Sequence, residues 1–133
     1  MARVIVLDAC VLIAHLDGND AHHDRATRLL TDLAGQPKIT NVLTRTEVLV
    51  AAARAGRRRA VEDILDQLHI GTDELPSDAA GQLAELRAHT GLRMPDCCVL
   101  LTAERIEAEV ATFDARLGQA AVARGLVVRS TGH

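Results

Sequence analysis

The chain has 133 residues, with 18 acidic and 15 basic side chains and a formal net charge of −3. This size predicts one domain, spanning residues 1–133, with a core of its own. The acidic balance argues against a protein that binds nucleic acid by charge alone. The aromatic content is one residue, Phe113, which argues against the base-stacking surfaces that many single-strand binders use.

Apolar patterning in the first half of the chain predicts strands alternating with helices. Continuous apolar runs are typical of strands that are buried on both faces, and apolar residues at helical spacing indicate amphipathic helices that end at glycine. The predicted elements are a strand at Val4–Leu7, a helix at Val11–Leu16, a helix over 26–33, a strand at Lys38–Leu43, a helix at Thr44–Ala55 and a helix over 61–68.

The second half of the chain continues this alternation. Its predicted elements are a weak strand at His69–Leu75, a helix from Ser77 to near Gly91, a buried helix from Pro95, a strand at Glu109–Phe113, a helix at Ala115–Arg124 and a strand at Leu126–Arg129. Alternating strands and helices predict an α/β fold with an open parallel sheet of four to five strands flanked by helices. In such sheets, functional sites form at the carboxyl ends of the strands.

Four acids occur where predicted strands end or helices begin: Asp8, Glu47, Asp96 and Asp114. Each also has a purely structural explanation. Glu47 completes a Thr-x-x-Glu capping box that begins at Thr44, Asp96 follows proline in a first helical turn, and Asp8 and Asp114 are candidate N-caps. If all four meet at one edge of the sheet, however, their mutual repulsion favours a bound divalent cation. Oxygen ligands indicate Mg²⁺ or Mn²⁺.

These segments resemble the PIN-domain ribonucleases, and most closely the VapC-like toxins of bacterial toxin–antitoxin pairs. The stretches that carry the resemblance are VIVLDACVLIA, TRTEVLVAA, MPDCCVLLTA and ATFDARL, in that order along nearly the whole chain. The resemblance implies that Asp8, Glu47, Asp96 and Asp114 hold Mg²⁺ or Mn²⁺ and catalyse RNA hydrolysis by an activated water. It also implies that Thr112 supports the pocket, that the protein forms a homodimer, and that a cognate antitoxin covers the site.

Cys10 departs from the family pattern, because members usually carry Ser, Thr or Asn two residues after the first aspartate. A thiol is a weaker hydrogen-bonding group than a hydroxyl. The sequence therefore does not show whether Cys10 positions the metal or the substrate as the usual Ser, Thr or Asn does. Arg45 and Arg93 lie close in sequence to Glu47 and Asp96. Each is a candidate contact to an RNA phosphate, with an ion pair to a nearby acid as the alternative.

The cysteine content indicates a location for the protein. The three cysteines, two of them adjacent and none in a CxxC arrangement, predict free thiols, no zinc site and a reducing cytoplasm. No apolar run is long enough for a membrane span.

Two other functions stay open. One is a PIN-like module that binds a partner without catalysis. The other is an aspartate-phosphorylated signalling domain, which is disfavoured because that chemistry uses a lysine at a late strand end and the only lysine is Lys38.

Overall fold

In the computed structural model, which describes residues 3–130, five parallel strands form one open sheet in the order β3-β2-β1-β4-β5. The strands are β1 (Ile5–Leu7), β2 (Lys38–Asn41), β3 (Ile70–Asp73), β4 (Glu109–Ala111) and β5 (Val128–Arg129). The helices are α1 (Ala9–Leu16), α2 (His23–Asp32), α3 (Val42–Arg54), α4 (Arg58–Gln67), α5 (Ala79–Thr90), α6 (Met94–Arg105) and α7 (Ala115–Ala123). The predicted α/β fold with an open parallel sheet is confirmed.

The apolar run before Asp8 becomes the central strand, β1, which is fully buried because both of its faces are covered. Side chains alternate along a strand, so Ile5 and Leu7 belong to one core and Val6 to the other. Residues of α1 to α4 complete the first core, and residues of α5 to α7 complete the second. Helix α6 is buried along most of its length, as its uninterrupted apolar run predicts.

Several element boundaries differ from those that the sequence predicts. One difference with a clear cause is at α3, which begins at Val42 because Asn41 is its N-cap: the Asn41 side chain accepts the backbone N–H of Thr44 at 2.8 Å. The predicted strand at Lys38–Leu43 therefore ends at Asn41, and the capping-box interpretation of Thr44 and Glu47 is wrong. Glu47 lies in the second turn of α3, so helix capping does not account for it.

No helix among residues 3–130 combines the length and the apolar character that crossing a bilayer requires.

Candidate active site at the carboxyl edge of the sheet

Asp8 follows β1 at the centre of the sheet's carboxyl edge, and its side chain is 7% exposed. One carboxylate oxygen, Oδ1, accepts the backbone N–H of Ala9 at 2.8 Å and so caps α1. The other, Oδ2, accepts the Thr112 hydroxyl at 2.7 Å and the Cys10 thiol at 3.2 Å. These bonds explain how a carboxylate is tolerated between two apolar runs: it is buried, but each oxygen has donors.

Thr112 connects Asp8 to Asp114 at the end of β4. Its hydroxyl donates to Asp8 and accepts the backbone N–H of Asp114 at 3.0 Å. Asp114 in turn caps α7, because its Oδ1 accepts the N–H groups of Arg116 and Leu117 at 2.8 and 3.1 Å. The N-cap interpretations of Asp8 and Asp114 are therefore confirmed, and a buried threonine fixes the spacing of the two segments that carry these acids.

Asp96 lies in the first turn of α6 and is 5% exposed. The Arg93 Nε atom is 3.9 Å from its Oδ2, but the Arg93 side chain is 70% exposed. Burial is the main cause that raises the pKa of Asp96, and the negative charges of Asp8 and Asp114 raise it further. Arg93 and Arg116 act in the opposite direction without cancelling these effects.

Glu47 reaches the same edge from α3, which packs against α6. Burial raises the pKa of Glu47, and the charges of Asp8 and Asp96 add to this increase, whereas Arg93 lowers it. The charge of Asp8 thus acts on both Glu47 and Asp96, and the charge of Asp114 acts on Asp96, although the four acids come from four separate segments of the chain.

The donor set suits a hard divalent cation, because all four side chains offer carboxylate oxygens. Burial is the main cause that raises the pKa values of Glu47 and Asp96, and the charges of neighbouring acids add to it. As the side chains stand within residues 3–130, no three of the acidic, histidine or cysteine groups are arranged to hold one metal ion together. Asp8 and Asp114 direct carboxylate oxygens to donors of the protein itself. Coordination by three or more of the acids therefore requires side-chain rotation at this edge.

The two predicted phosphate contacts have different environments. Arg45 donates to the Ile70 carbonyl at 3.3 Å and pairs with Asp66 at 3.1 Å, with its own side chain 17% exposed. This geometry agrees with the ion-pair alternative, although the partner is Asp66 rather than Glu47. Arg93 is exposed beside Asp96, and sequence reasoning missed a second exposed arginine there, Arg116.

Cys10 is half-buried, whereas Cys97 and Cys98 are buried, and all three are free thiols, as the sequence predicts. Its Sγ lies 3.2 Å from Asp8 Oδ2 and 3.7 Å from Thr112 Oγ1, and it accepts the Phe113 N–H at 3.5 Å. Burial raises the pKa of the Cys10 thiol to about 12, with a further contribution from the negative charge of Asp8. The thiol therefore stays protonated and serves as a hydrogen-bond donor at this site.

Asn41 is a second residue that sequence reasoning missed. Three buried polar atoms among the described residues have no hydrogen-bond partner, and all three lie where β2 meets α3: Thr40 Oγ1, Asn41 Nδ2 and Thr44 Oγ1. A buried polar group without a partner costs about 1–3 kcal/mol. Helix α3, which carries Glu47, begins at this energetically costly junction.

The fold and this edge define the chain as an open parallel α/β protein with four carboxylates near the carboxyl ends of its strands, of which Asp8 and Asp96 are buried, Glu47 is half-buried and Asp114 is exposed. The sequence model of the PIN domain matches residues 5–123. The chain therefore belongs to the PIN domain family, as its sequence motifs predict. Comparison with curated proteins gives no match.

Solved structures with the same fold include components of toxin–antitoxin systems. A toxin–antitoxin complex from Klebsiella pneumoniae is 22% identical, with a TM-score of 0.71 over 86% of this chain and 89% of that one. VapC20 from Mycobacterium tuberculosis, described as a toxin that cleaves the sarcin–ricin loop, is 20% identical, with a TM-score of 0.72 over 92% and 96%. VapBC2 from Rickettsia felis, bound to a promoter DNA fragment, is 12% identical, with a TM-score of 0.72 over 95% and 97%.

The position of Lys38 argues against the phosphorylated signalling domain. Lys38 begins β2, and its Nζ donates to the carbonyls of Leu33 and Gln36, both at 2.8 Å. It lies at the amino edge of the sheet and cannot neutralise an acyl phosphate on Asp8 at the carboxyl edge.

Proposed function

We propose that the chain is a Mg²⁺- or Mn²⁺-dependent endoribonuclease that hydrolyses RNA phosphodiester bonds, and that it is the toxin of a toxin–antitoxin pair. The observation that carries this proposal is that Glu47 lies in the field of Asp8 and Asp96, and Asp96 in the field of Asp8 and Asp114, in a chain that belongs to the PIN domain family. Negative charges that lie close together in a partly buried site favour a divalent cation as their counter-ion.

In this proposal, Asp8 and Asp96 are the principal metal ligands, and Glu47 and Asp114 complete the set. When bound, the cation supplies charge neutralisation, polarises a phosphate oxygen and makes a water more acidic. The chain's own residues position the proposed metal ligands. Thr112 and Cys10 hold the Asp8 carboxylate by donating to its Oδ2.

The rim of the site contributes positive charge for an anionic substrate. Arg93 and Arg116 are exposed near Asp96, so each can contact a phosphate that approaches the cluster. Arginine suits this role because its planar guanidinium can donate two hydrogen bonds to one phosphate. We assign Arg45 a weaker contribution, because Asp66 and the Ile70 carbonyl already engage it.

The partners in this proposal are an RNA substrate, a cognate antitoxin and a second copy of the chain. Structural neighbours that are toxin–antitoxin complexes support the antitoxin. The homodimer follows from the family resemblance. The three free thiols support the cytoplasmic location that the toxin role implies.

A cleavage assay tests the proposed activity. The purified protein is incubated with end-labelled single-stranded RNA and Mg²⁺ or Mn²⁺, with and without a chelator. We expect cleavage that depends on the cation and that falls by at least about a hundredfold in Asp8→Asn and Asp96→Asn, since each removes a charged ligand. Asp63→Asn, which neutralises an exposed acid of α4, is the matched control and should cleave like the wild type.

A PIN-like module that only binds a partner is the second candidate. The arrangement of the acids supports this alternative, because no three potential ligands among the described residues stand ready around one ion. The wild type would then cleave no RNA with either cation, and calorimetry would detect no cation binding. Cleavage that persists at full rate in Asp8→Asn would contradict the assignment of the site itself.

A further inference from the structure

Phe113, the chain's one aromatic residue, lies directly beside the acidic cluster, between Thr112 and Asp114. The Arg25 side chain from α2 crosses its ring, with the guanidinium carbon 4.3 Å from the ring centroid. His22 approaches the same ring, with the two ring centroids 5.6 Å apart and the planes tilted by 41°. An aromatic ring, a guanidinium plane and an imidazole therefore form one surface next to Asp114.

This surface is held in place by contacts outside the acidic cluster. Arg25 Nε donates to the Ser130 carbonyl at 2.9 Å, which ties α2 to the segment that follows β5. Phe113 is half-buried and packs against the core that α1 to α4 share with the sheet. Within residues 3–130, the terminal amino groups of the Arg25 guanidinium have no hydrogen-bond acceptor, since the bond to Ser130 uses Nε.

A groove of about 590 Å³ extends from these residues along α7 and β5. Arg25 and Phe113 line it together with Thr112 and Asp114, so the groove begins at the acidic cluster. Farther along, its walls are apolar and include Val122 and Val128. A ligand in the groove would thus have one end at the proposed metal site and a flat, apolar part between the walls.

We propose that this groove is a nucleotide subsite, in which one unpaired base of the RNA stacks on the Arg25 guanidinium, whose other face lies over the Phe113 ring, while the neighbouring phosphate reaches the acidic cluster. Unpaired bases stack on aromatic rings and on arginine planes, and a guanidinium also attracts phosphate. This combination favours a nucleotide over a peptide, because the flat guanidinium can stack on a base and its charge can attract the phosphate. The inference rests on the proposed function and deepens it by naming Arg25 as a residue that binds one nucleotide of the RNA and Phe113 as the residue that supports Arg25.

Two substitutions remove the stacking groups while keeping their bulk: Arg25→Met and Phe113→Leu. Arg28→Met is the matched control, since it removes an exposed arginine from the same helix outside the groove. Stacking of one base changes affinity by about tenfold or more. We expect each test variant to raise KM for a short single-stranded RNA about tenfold over Arg28→Met, while kcat changes little. The cation affinity and the melting temperature of each test variant should stay close to those of Arg28→Met.

An abasic scan of the RNA tests the stacking directly. One base at a time is removed on either side of the cleaved bond, and KM is measured for wild type and Phe113→Leu. We expect one abasic position that raises KM about tenfold in the wild type but causes little further loss in the variant. If every abasic position raises KM by the same factor in the wild type and in Phe113→Leu, the subsite is refuted. A KM for Arg25→Met equal to that of Arg28→Met would also refute it.

Two further outcomes distinguish a nucleotide subsite from a contact between protein chains and from a failure of the proposed nuclease activity. If Arg25→Met changes the oligomeric state in sedimentation but not KM, the groove is a contact between copies of the chain and the subsite is refuted. If the wild type cleaves no RNA, the proposed function fails, and binding of the labelled RNA measured by fluorescence anisotropy in chelator then decides the subsite alone. Weaker binding by Arg25→Met than by Arg28→Met supports it, and equal binding refutes it.

Discussion

Replacing Asp96 by asparagine keeps the shape of the side chain and removes one negative charge from the cluster. Without a cation, this change should stabilise the protein, which is unusual for a substitution at a buried position. The wild-type carboxylate is 5% exposed, feels the charges of Asp8 and Asp114, and has an arginine partner that is itself 70% exposed. The asparagine variant avoids both the repulsion and the cost of burying a charge.

The magnitude follows from the charges that Asp96 faces. Two unit charges about 6 to 8 Å apart repel by about 2–3 kcal/mol at an effective dielectric near 20. The exposed pair with Arg93, at 3.9 Å, offsets only about 0–1 kcal/mol. We therefore expect Asp96→Asn to raise the free energy of unfolding of the metal-free protein by about 1–3 kcal/mol, which corresponds to about 3–10 °C in Tm for a chain of this size.

Thermal and urea unfolding in chelator measure this difference, with Asp63→Asn as the control for loss of an exposed negative charge. Adding Mn²⁺ should reverse the order of stability. A cation present at about 100 times its Kd stabilises the wild type by about 2.7 kcal/mol, whereas the variant should gain little. If Asp96→Asn is destabilised in chelator, or if Mn²⁺ stabilises it as much as the wild type, the reasoning is refuted.

Three other predictions concern the same edge of the sheet. The pKa values of Glu47 and Asp96 are raised in the folded protein, so above about pH 4 the native state holds protons that the unfolded chain has released. The stability of the metal-free wild type relative to Asp96→Asn, measured in urea titrations, should therefore fall as the pH rises from about 4 to about 8. A difference that does not change with pH contradicts this. Thr112→Val removes the hydroxyl that donates to Asp8 and should lower the free energy of unfolding by about 1–3 kcal/mol. Thr112→Ser keeps a hydroxyl and should lose much less stability in the same titrations. Equal losses of stability in the two variants would show that only packing matters. The pKa of about 12 for the Cys10 thiol predicts slow alkylation by iodoacetamide at neutral pH, and peptide mapping by mass spectrometry that finds Cys10 labelled as fast in native as in unfolded protein contradicts it.

The sequence could predict that the acids lie at one edge of the sheet, because this placement depends on local sequence patterns and on the parallel direction of the strands. A continuous apolar run such as Ile5–Leu7 identifies a central strand, and parallel strands place their carboxyl ends at one edge. Asp8 and Asp114, each directly after a predicted strand, were therefore expected at the same edge. The position of Asp96 followed from the proline that precedes it near the helix start.

The start of α3 could not be predicted in the same way, because two capping signals compete there. Thr44 with Glu47 forms an S/T-x-x-E pattern, but Asn41 three residues earlier is an equally good N-cap. The choice depends on where β2 stops pairing with β3, and the last register pair joins Asn41 to Asp73. That pairing is a tertiary contact, which no local sequence pattern encodes.

Two arginines near the site, Arg25 and Arg116, were also beyond sequence reasoning. Arg25 reaches Phe113 across 88 positions of the chain, and Arg116 influences Asp96 from a different helix. Composition indicated that stacking surfaces were scarce, but it could not indicate that the single ring would lie beside the acids. Such contacts depend on how α2 and α7 pack around β4, which only the assembled fold determines.

Binding of Mn²⁺ measured by calorimetry or electron paramagnetic resonance tests the central claim most directly: Asp8, Glu47, Asp96 and Asp114 act together to hold one cation site. The titration compares the wild type with Asp8→Asn, Glu47→Gln, Asp96→Asn and Asp114→Asn, and with Asp63→Asn as the control. We predict saturable binding to the wild type and the control, at least about tenfold weaker binding to Asp8→Asn and Asp96→Asn, and smaller losses in the other two. No binding to the wild type, or wild-type affinity in all four variants, would contradict the claim.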